Sequence, residues 1–265
     1  KYEIALPFEH RLPENKEKNQ NYDRFLAHLS PFLPQKTFVV DVGANCGDTI
    51  AIMISNNNKI NYFCIEADKK FMKYLEKNTD ILRKNNDCKI ILSNSLIGKD
   101  VKGAFLGCEG ETKHAIISSS LGDVKMISIT LDNLISNKLN NYDQVSLLKI
   151  HVDGYDYDVI NSAIGLIKKD SPILFFECFL SSLDKKKKYE DTIINLSKIG
   201  YVKWVIFDNF GGIIFKTEDI EIIFDVFRYI WKQNINETTR TFNYVDILAF
   251  HNNQSNLMSE VLSKY

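Results

Sequence analysis

The sequence predicts an α/β fold on a parallel sheet, and three observations carry that prediction. Short β-rich runs alternate with amphipathic stretches from Lys36 onward, and the apolar run Val39-Val-Asp-Val42 passes directly into a glycine-containing turn that opens a helix. Polar side chains then recur where apolar runs end, at Glu66, His151, Asp153 and Glu177. Strand, helix, strand in repeated order makes successive strands parallel and joins them by right-handed crossovers.

Tyr22, Phe25, Leu26 and Leu29 recur at helical spacing ahead of Pro31 and Pro34, which predicts a leading helix or two. We therefore expect an N-terminal helical segment over residues 1–36 and the main domain over 37–265. Strands are expected at 37–42, 61–66, 89–94, 145–152 and 172–178, with helices at 48–55, 69–84 and 155–167 between them. An interruption at 101–128 carries Gly103, Gly107, Gly110 and Gly122 and reads as a hairpin excursion or a mobile cover over the ligand-binding edge. Thr130-Leu-Asp-Asn-Leu reads as a helix start capped by Thr130 or Asp132. A helix at 185–199 stops at Gly200, and residues 201–208 and 212–216 form a hairpin around Asn209-Phe-Gly-Gly. A helix at 219–231 and a strand at 244–250 follow. The four lysines at 185–188 read as a solvated helix end.

The 265 residues, 45% hydrophobic and 25% charged, suit one sizeable domain. A formal net charge of -1 provides no global field for a polyanion, so nucleic acid is not an expected partner. No apolar run reaches the roughly 20 residues needed to span a bilayer, and the first residues lack the apolar core of a signal peptide. A cytoplasmic location is the expectation. Cys46, Cys64, Cys88, Cys108 and Cys178 are odd in number and form no Cys-x-x-Cys pair, which fits reduced thiols.

Three segments carry chemistry. In Asp41-Val-Gly-Ala-Asn-Cys-Gly-Asp-Thr49 the turn lets the backbone approach a ligand, and the free N–H groups of the helix start favour an anionic group. Only Gly43 and Gly47 are present where a nicotinamide-dinucleotide turn has three glycines, so a ligand without a pyrophosphate fits better. Glu66 closes its strand 19 residues beyond Gly47, a spacing at which a carboxylate accepts both ribose hydroxyls of an adenosine. The third segment, Leu147-Leu-Lys-Ile-His-Val-Asp-Gly154, delivers His151 and Asp153 to one side of a strand end, with Glu177 closing the strand beyond it. Asp153 alone would also serve as the cap of the next helix.

The series Asp41-Val-Gly-Ala-Asn-x-Gly47, Ile65-Glu66, Asn94-Ser-Leu-Ile-Gly98, Thr130-Leu-Asp132, Leu148-Lys-Ile-x-Val-x-Gly154, Pro172 through Glu177 and Gly200-Tyr201 resembles the FkbM-type methyltransferases in order over about residues 37–250. The resemblance implies a Rossmann-like seven-stranded methyltransferase sheet, mostly parallel with an antiparallel edge, and S-adenosylmethionine as cofactor. It implies that Asp41, Gly43, Asn45 and Gly47 hold the methionine part, Glu66 the ribose, and Asn94 or Ser95 the adenine side, with Ala44, Thr49 and Ala67 also among the cofactor-binding residues. His151 stands where the family usually has an aspartate.

Methyl transfer to an alcohol needs alignment and removal of the hydroxyl proton, which a neutral imidazole can take. We expect an O-methyltransferase with His151 as general base and Asp153 orienting it or the substrate; a metal held by His151, Asp153 and Glu177 is the less favoured arrangement. The resemblance implies a small-molecule hydroxyl acceptor, a sugar, sugar nucleotide or cell-surface glycan precursor. An N-methyltransferase and a non-catalytic S-adenosylmethionine-binding module are the competing readings. Homo-oligomerisation is open to the leading helix and the aromatic segment 224–231.

Overall fold

The computed structural model describes residues 3–10, 12–18, 24–99, 102–109, 112–116, 124–139, 142–236 and 242–265; at residues 15, 102–109, 112–116, 124–127 and 236 it describes the backbone alone. The chain begins with α1 (Leu12–Lys18) and α2 (Arg24–Leu29), then enters β1 (Phe38–Val42), α3 (Asp48–Asn56), β2 (Asn61–Ile65), α4 (Lys69–Asn85) and β3 (Ile90–Ser93). An excursion follows as β4 (Leu96–Ile97), β5 (Lys102–Glu109), β6 (Thr112–Ile116) and β7 (Val124–Ile129). After α5 (Leu131–Lys138) come β8 (Val145–Ile150), α6 (Asp156–Asn161), α7 (Ile164–Asp170), β9 (Ile173–Phe179) and α8 (Leu183–Lys198). The chain closes with β10 (Tyr201–Asp208), β11 (Ile213–Thr217), α9 (Ile220–Asn236), β12 (Tyr244–His251) and α10 (Ser255–Ser263).

The main sheet has the order β11-β10-β12-β9-β8-β1-β2-β3. From β3 to β9 it is parallel; β12 then runs antiparallel to β9, β10 antiparallel to β12 and β11 antiparallel to β10. All seven expected strands lie in this sheet, and β11, read from sequence as a hairpin arm, adds an eighth at its edge. Helices cover both faces, so β1 and β8 are buried at every position. Residues of α5 through α9 pack in one core, including Tyr157, Tyr189 and Phe227. Residues of α2, α3, α4 and α10 pack in the other, including Phe25, Ile50, Leu75 and Val261. Strand order reverses at β1, which has β2 on one side and β8 on the other. Open α/β sheets bind ligands beyond the strand ends at such a switch point.

Residues 155–167, expected as one helix, form two. The break falls at Ser162-Ala163, where Ser162 Oγ accepts the Leu131 N–H (3.1 Å) and donates to the Val159 carbonyl (2.8 Å). Asp132 explains the restart: its two carboxylate oxygens accept the N–H groups of Gly165 and Leu166, both at 2.8 Å, at the first turn of α7. Thr130 is the residue that caps α5, accepting from Asn133 N at 3.3 Å. The excursion is a hairpin, as expected, with β5 antiparallel to both β6 and β7 and β4 parallel to β7. Of the glycines from which a mobile cover was expected, Gly110 and Gly122 lie outside the described residues. Cys46, Cys64, Cys88 and Cys178 are free thiols; the Cys108 side chain lies outside the described set. Among the described residues no helix is long and apolar enough to cross a membrane.

Asp132→Ala removes both acceptors from the α7 start, where Ala163 offers no side-chain cap. We expect a loss of about 1 kcal/mol in stability, read as a lower urea midpoint at unchanged slope, while the α5 cap at Thr130 persists.

Candidate functional site

The β1–α3 turn is suspended between its two neighbouring strands. Gly43 and Ala44 donate their N–H groups to the Ile65 carbonyl at 2.9 and 3.0 Å, and His151 donates its N–H to the Val42 carbonyl at 3.0 Å. Gly43 has φ +77°, and a Cβ there would lie 2.0 Å from the His151 carbonyl oxygen. The absent side chain admits the end of β8, and Gly43 also borders the cavity described below. Asn45 follows at φ +49° and Gly47 at φ +81°, before α3 begins. Asparagine tolerates the left-handed region better than most residues.

Beneath the turn, Asp41 and Lys149 face each other in register across β1 and β8 and pair at 2.8 Å, both almost wholly buried. Lys149 Nζ also donates to the Gly43 carbonyl at 3.1 Å. Burial pushes the Asp41 carboxyl up, and Lys149 opposes it. Asp41 thus supports the turn from below.

Glu66 ends β2 with both carboxylate oxygens engaged: Oε2 accepts the Asn45 N–H and Oε1 the Asp68 N–H, each at 2.8 Å. Burial raises its pKa to about 6 against the lowering effect of those two hydrogen bonds. Each carboxylate oxygen keeps acceptor capacity for a further donor, which matches a vicinal diol. Asn94 Nδ2 donates to the carbonyls of Glu66 (2.8 Å) and Ala67 (3.0 Å), fixing the chain after β2 against the end of β3.

These groups border a cavity of about 740 Å³ including its open mouth, lined by Val42, Gly43, Asn45, Ile65, Glu66, Ala67, Asp68, Phe71, Ser95, Leu96, Ile97, His151, Val152, Asp153 and Tyr155. Among the sequence-predicted site residues, Gly43, Asn45, Glu66, Ala67, Ser95, His151 and Asp153 meet on this lining. Asp41, Ala44, Gly47, Thr49 and Asn94 are not part of it. Ala44 and Thr49 are buried, Gly47 packs against Leu75, and Asn94 acts through the backbone bonds given above. Sequence reasoning missed Phe71, Leu96 and Ile97, apolar walls suited to a flat heterocycle. It also missed Lys149, whose signal was a charge inside the apolar run Leu147-Leu-Lys-Ile.

At the other end of the cavity His151 keeps 31% of its side chain open, with Nε2 3.6 Å from Glu177 Oε2. Desolvation lowers the imidazole pKa and Lys149 adds to this, while Asp153 and Asp48 oppose it. Glu177 is buried behind the ring; burial, with Asp156, Asp246 and Asp153 nearby, pushes its carboxyl well up. Asp156 is raised to about 7, chiefly by burial. Donor atoms of His151, Asp153 and Glu177 lie within 4.8 Å of one another, a spacing that one divalent ion can bridge.

The family model of the methyltransferase FkbM domain matches residues 41–203, more than half of the chain. No curated protein sequence matches it. Among solved structures, methyltransferase FkbM from Methylobacillus flagellatus KT aligns at TM-score 0.46 and 13% identity, over 90% of this chain and 50% of its own. Precorrin-6y C5,15-methyltransferase from Geobacter metallireducens aligns at 0.45 and 10%, over 95% and 94%. The plantazolicin methyltransferase BamL, solved with a triazolic desmethylPZN analog and SAH, aligns at 0.48 and 12%, over 91% and 87%.

Gly43→Ala tests the packing of the turn on β8. The left-handed backbone and the contact with the His151 carbonyl together should cost more than about 2 kcal/mol, measured by denaturant unfolding without ligand. Unchanged stability would mean that the turn does not bear on β8 as described.

Proposed function

Because the chain belongs to the FkbM methyltransferase domain family, whose reaction is methyl transfer from S-adenosylmethionine, we propose that it methylates a hydroxyl of a small molecule, a sugar, sugar nucleotide or cell-surface glycan precursor. The observation that carries this reading is a single cavity lined at one end by Asn45 and Glu66 and at the other by His151 and Asp153. The donor set suits the cofactor. Glu66 has acceptor capacity for ribose hydroxyls, Ile65, Phe71, Leu96 and Ile97 offer apolar walls to a purine, and Asn45 brings a side-chain amide to the same end. The cofactor supplies an electrophilic methyl on a sulfonium.

The chain's own residues have three tasks in this reading. The turn and Glu66 fix the donor end, so that alignment precedes reaction. His151, held neutral by desolvation and Lys149, takes the proton of the acceptor hydroxyl. Asp153, whose field favours the protonated ring, stabilises the imidazolium as it forms. Tyr155 and Val152 border the same end.

His151→Ala should lower kcat by about 10²-fold while leaving S-adenosylmethionine affinity nearly intact. At saturating cofactor the wild-type rate should rise with pH through an ionisation below the ordinary 6.5 of histidine. Turnover should persist in EDTA. If EDTA abolished it and a divalent cation restored it, His151 would be a ligand rather than a base, and full activity of His151→Ala would remove both roles.

Cofactor affinity should respond separately to Glu66. Its folded pKa of about 6 lies above the ordinary 4.5, and ribose hydroxyls hydrogen-bond best to its ionised form. Calorimetric affinity for S-adenosylmethionine should therefore strengthen as pH rises through 6. Glu66→Gln should bind about tenfold more weakly and flatten that dependence. A pH dependence retained in the variant would assign it to another group. In the free protein the same raised pKa acts oppositely on stability, since the folded state holds the proton more tightly; that contribution is present below 4.5 and lost as pH rises through 6.

A further inference from the structure

The segment ahead of α1 is fastened across the β1–α3 turn by groups that the reaction itself does not use. Ala5 exchanges two hydrogen bonds with the buried Asn78 side chain, at 2.7 and 2.8 Å, and Asn78 Nδ2 also donates to the Cys46 carbonyl at 2.8 Å. Lys70 Nζ pairs with Glu9 at 3.2 Å. His10 stands edge-on to the Phe71 ring, with centroids 6.0 Å apart and planes at 83°, and its Nε2 lies 3.0 Å from Asn45 Oδ1. Asn45 and Phe71 both line the cavity.

The tautomer of His10 follows from its second contact. Its Nδ1 accepts the Leu12 N–H at 3.1 Å, so in the neutral ring the proton sits on Nε2, which donates to Asn45. An imidazole N–H needs an acceptor, so Asn45 must turn its carbonyl oxygen to His10. Its NH2 group is then the polar end left for the cavity. The Asn45 backbone is already held, since its N–H donates to Glu66 Oε2 and its φ is +49°. The side-chain amide has one remaining choice, which end faces the ligand, and His10 decides it.

We infer that His10 is a positioning residue that fixes the Asn45 amide with its NH2 group toward the cavity, so that the turn selects a ligand bearing a carboxylate at that end. The inference rests on the S-adenosylmethionine reading and deepens it. An amide turned the other way would present an oxygen to the carboxylate of the methionine moiety and repel it. With the NH2 inward, Asn45 donates a charge-assisted hydrogen bond.

Calorimetry with two ligands tests this without turnover: S-adenosylmethionine, and its decarboxylated form, which keeps the adenosine, sulfonium and amine. His10→Ala should weaken S-adenosylmethionine about tenfold and leave the decarboxylated ligand unchanged; His10→Gln, which restores an N–H donor, should recover most of the loss. Asn45→Asp keeps the acceptor for His10 but replaces the inward NH2 by an oxygen. It should weaken S-adenosylmethionine more than tenfold without weakening the decarboxylated ligand, and it remains informative if His10→Ala loosens the segment. Phe8→Ala, at a fully exposed position, should match wild type with both ligands. Equal losses for both ligands in His10→Ala, or no loss for either, would overturn the inference. Wild-type protein that binds neither ligand would overturn the cofactor reading and the inference with it, before any variant is compared.

Discussion

A buried lysine organises this site. Lys149 lies in a strand whose every residue is buried, and its ammonium reaches Asp41 and the Gly43 carbonyl across the sheet. Taking both charges out of water is costly, and the pair is tolerable because partner and carbonyl together satisfy the ammonium. Asp41 and Lys149 are in register, so the ion pair fixes β1 against β8, and Gly43 then fits over the end of β8 with no room for a side chain. The ligand-facing turn is thereby defined by what lies below it. The Asp41 carboxylate is turned to Lys149, and Asn45 and Glu66 are the groups that reach the cavity above it.

The same lysine shapes the His151 end of the cavity. It lowers the His151 pKa together with burial, while Asp153 pulls the other way. Asp156 is raised by burial and by Asp153, and Glu177 by burial and by Asp156, Asp246 and Asp153, so this region carries fewer negative charges at neutral pH than its residue count suggests. Asp156 spends its acceptors on the backbone, taking the N–H groups of Gly154 and Glu177, both at 3.3 Å. Burial thus favours the uncharged form of both His151 and Glu177, and a neutral ring is the form that can accept a proton.

The strand–turn–helix at Asp41–Thr49 and the strand-end acid Glu66 were legible because backbone chemistry constrains them. A left-handed turn calls for Gly or Asn, and an acid held by two N–H groups at a strand end leaves a local mark. The helix break at Ser162 was not legible, since periodicity continues across it and the cause is Asp132, remote in sequence. The strand β11 was read only as a hairpin arm, because sheet order is not a local property. His10 and Asn45 are 35 residues apart with no shared pattern, and Lys149 looked like one polar residue in an apolar run. Contacts of this kind are set by packing, which periodicity does not record.

The two ends of the cavity therefore differ in what holds them. The end with Asn45 and Glu66 is backbone hung between adjacent parallel strands, closed by Asn94, Asn78 and the segment containing His10, so few of its atoms can change without moving the sheet. The His151 end begins where β8 stops, in a loop with Asp153 at φ +54° and Gly154 at φ +86°. It is framed by side chains from separate elements. Tyr155 carries the Lys185 ammonium 4.5 Å above its ring, and that ammonium also lies near Phe179 at the end of β9. Lys185 thus belongs to this frame, and the run was expected to be a solvated helix end, but Lys186 pairs with Glu190 largely out of solvent, while Lys188 pairs with Asp184. Side chains on loops and helix ends can be exchanged with little cost to the sheet, whereas the turn cannot. The sheet and its ion pair accordingly fix the turn, whereas Tyr155 and Lys185 frame the His151 end of the cavity from elements outside it.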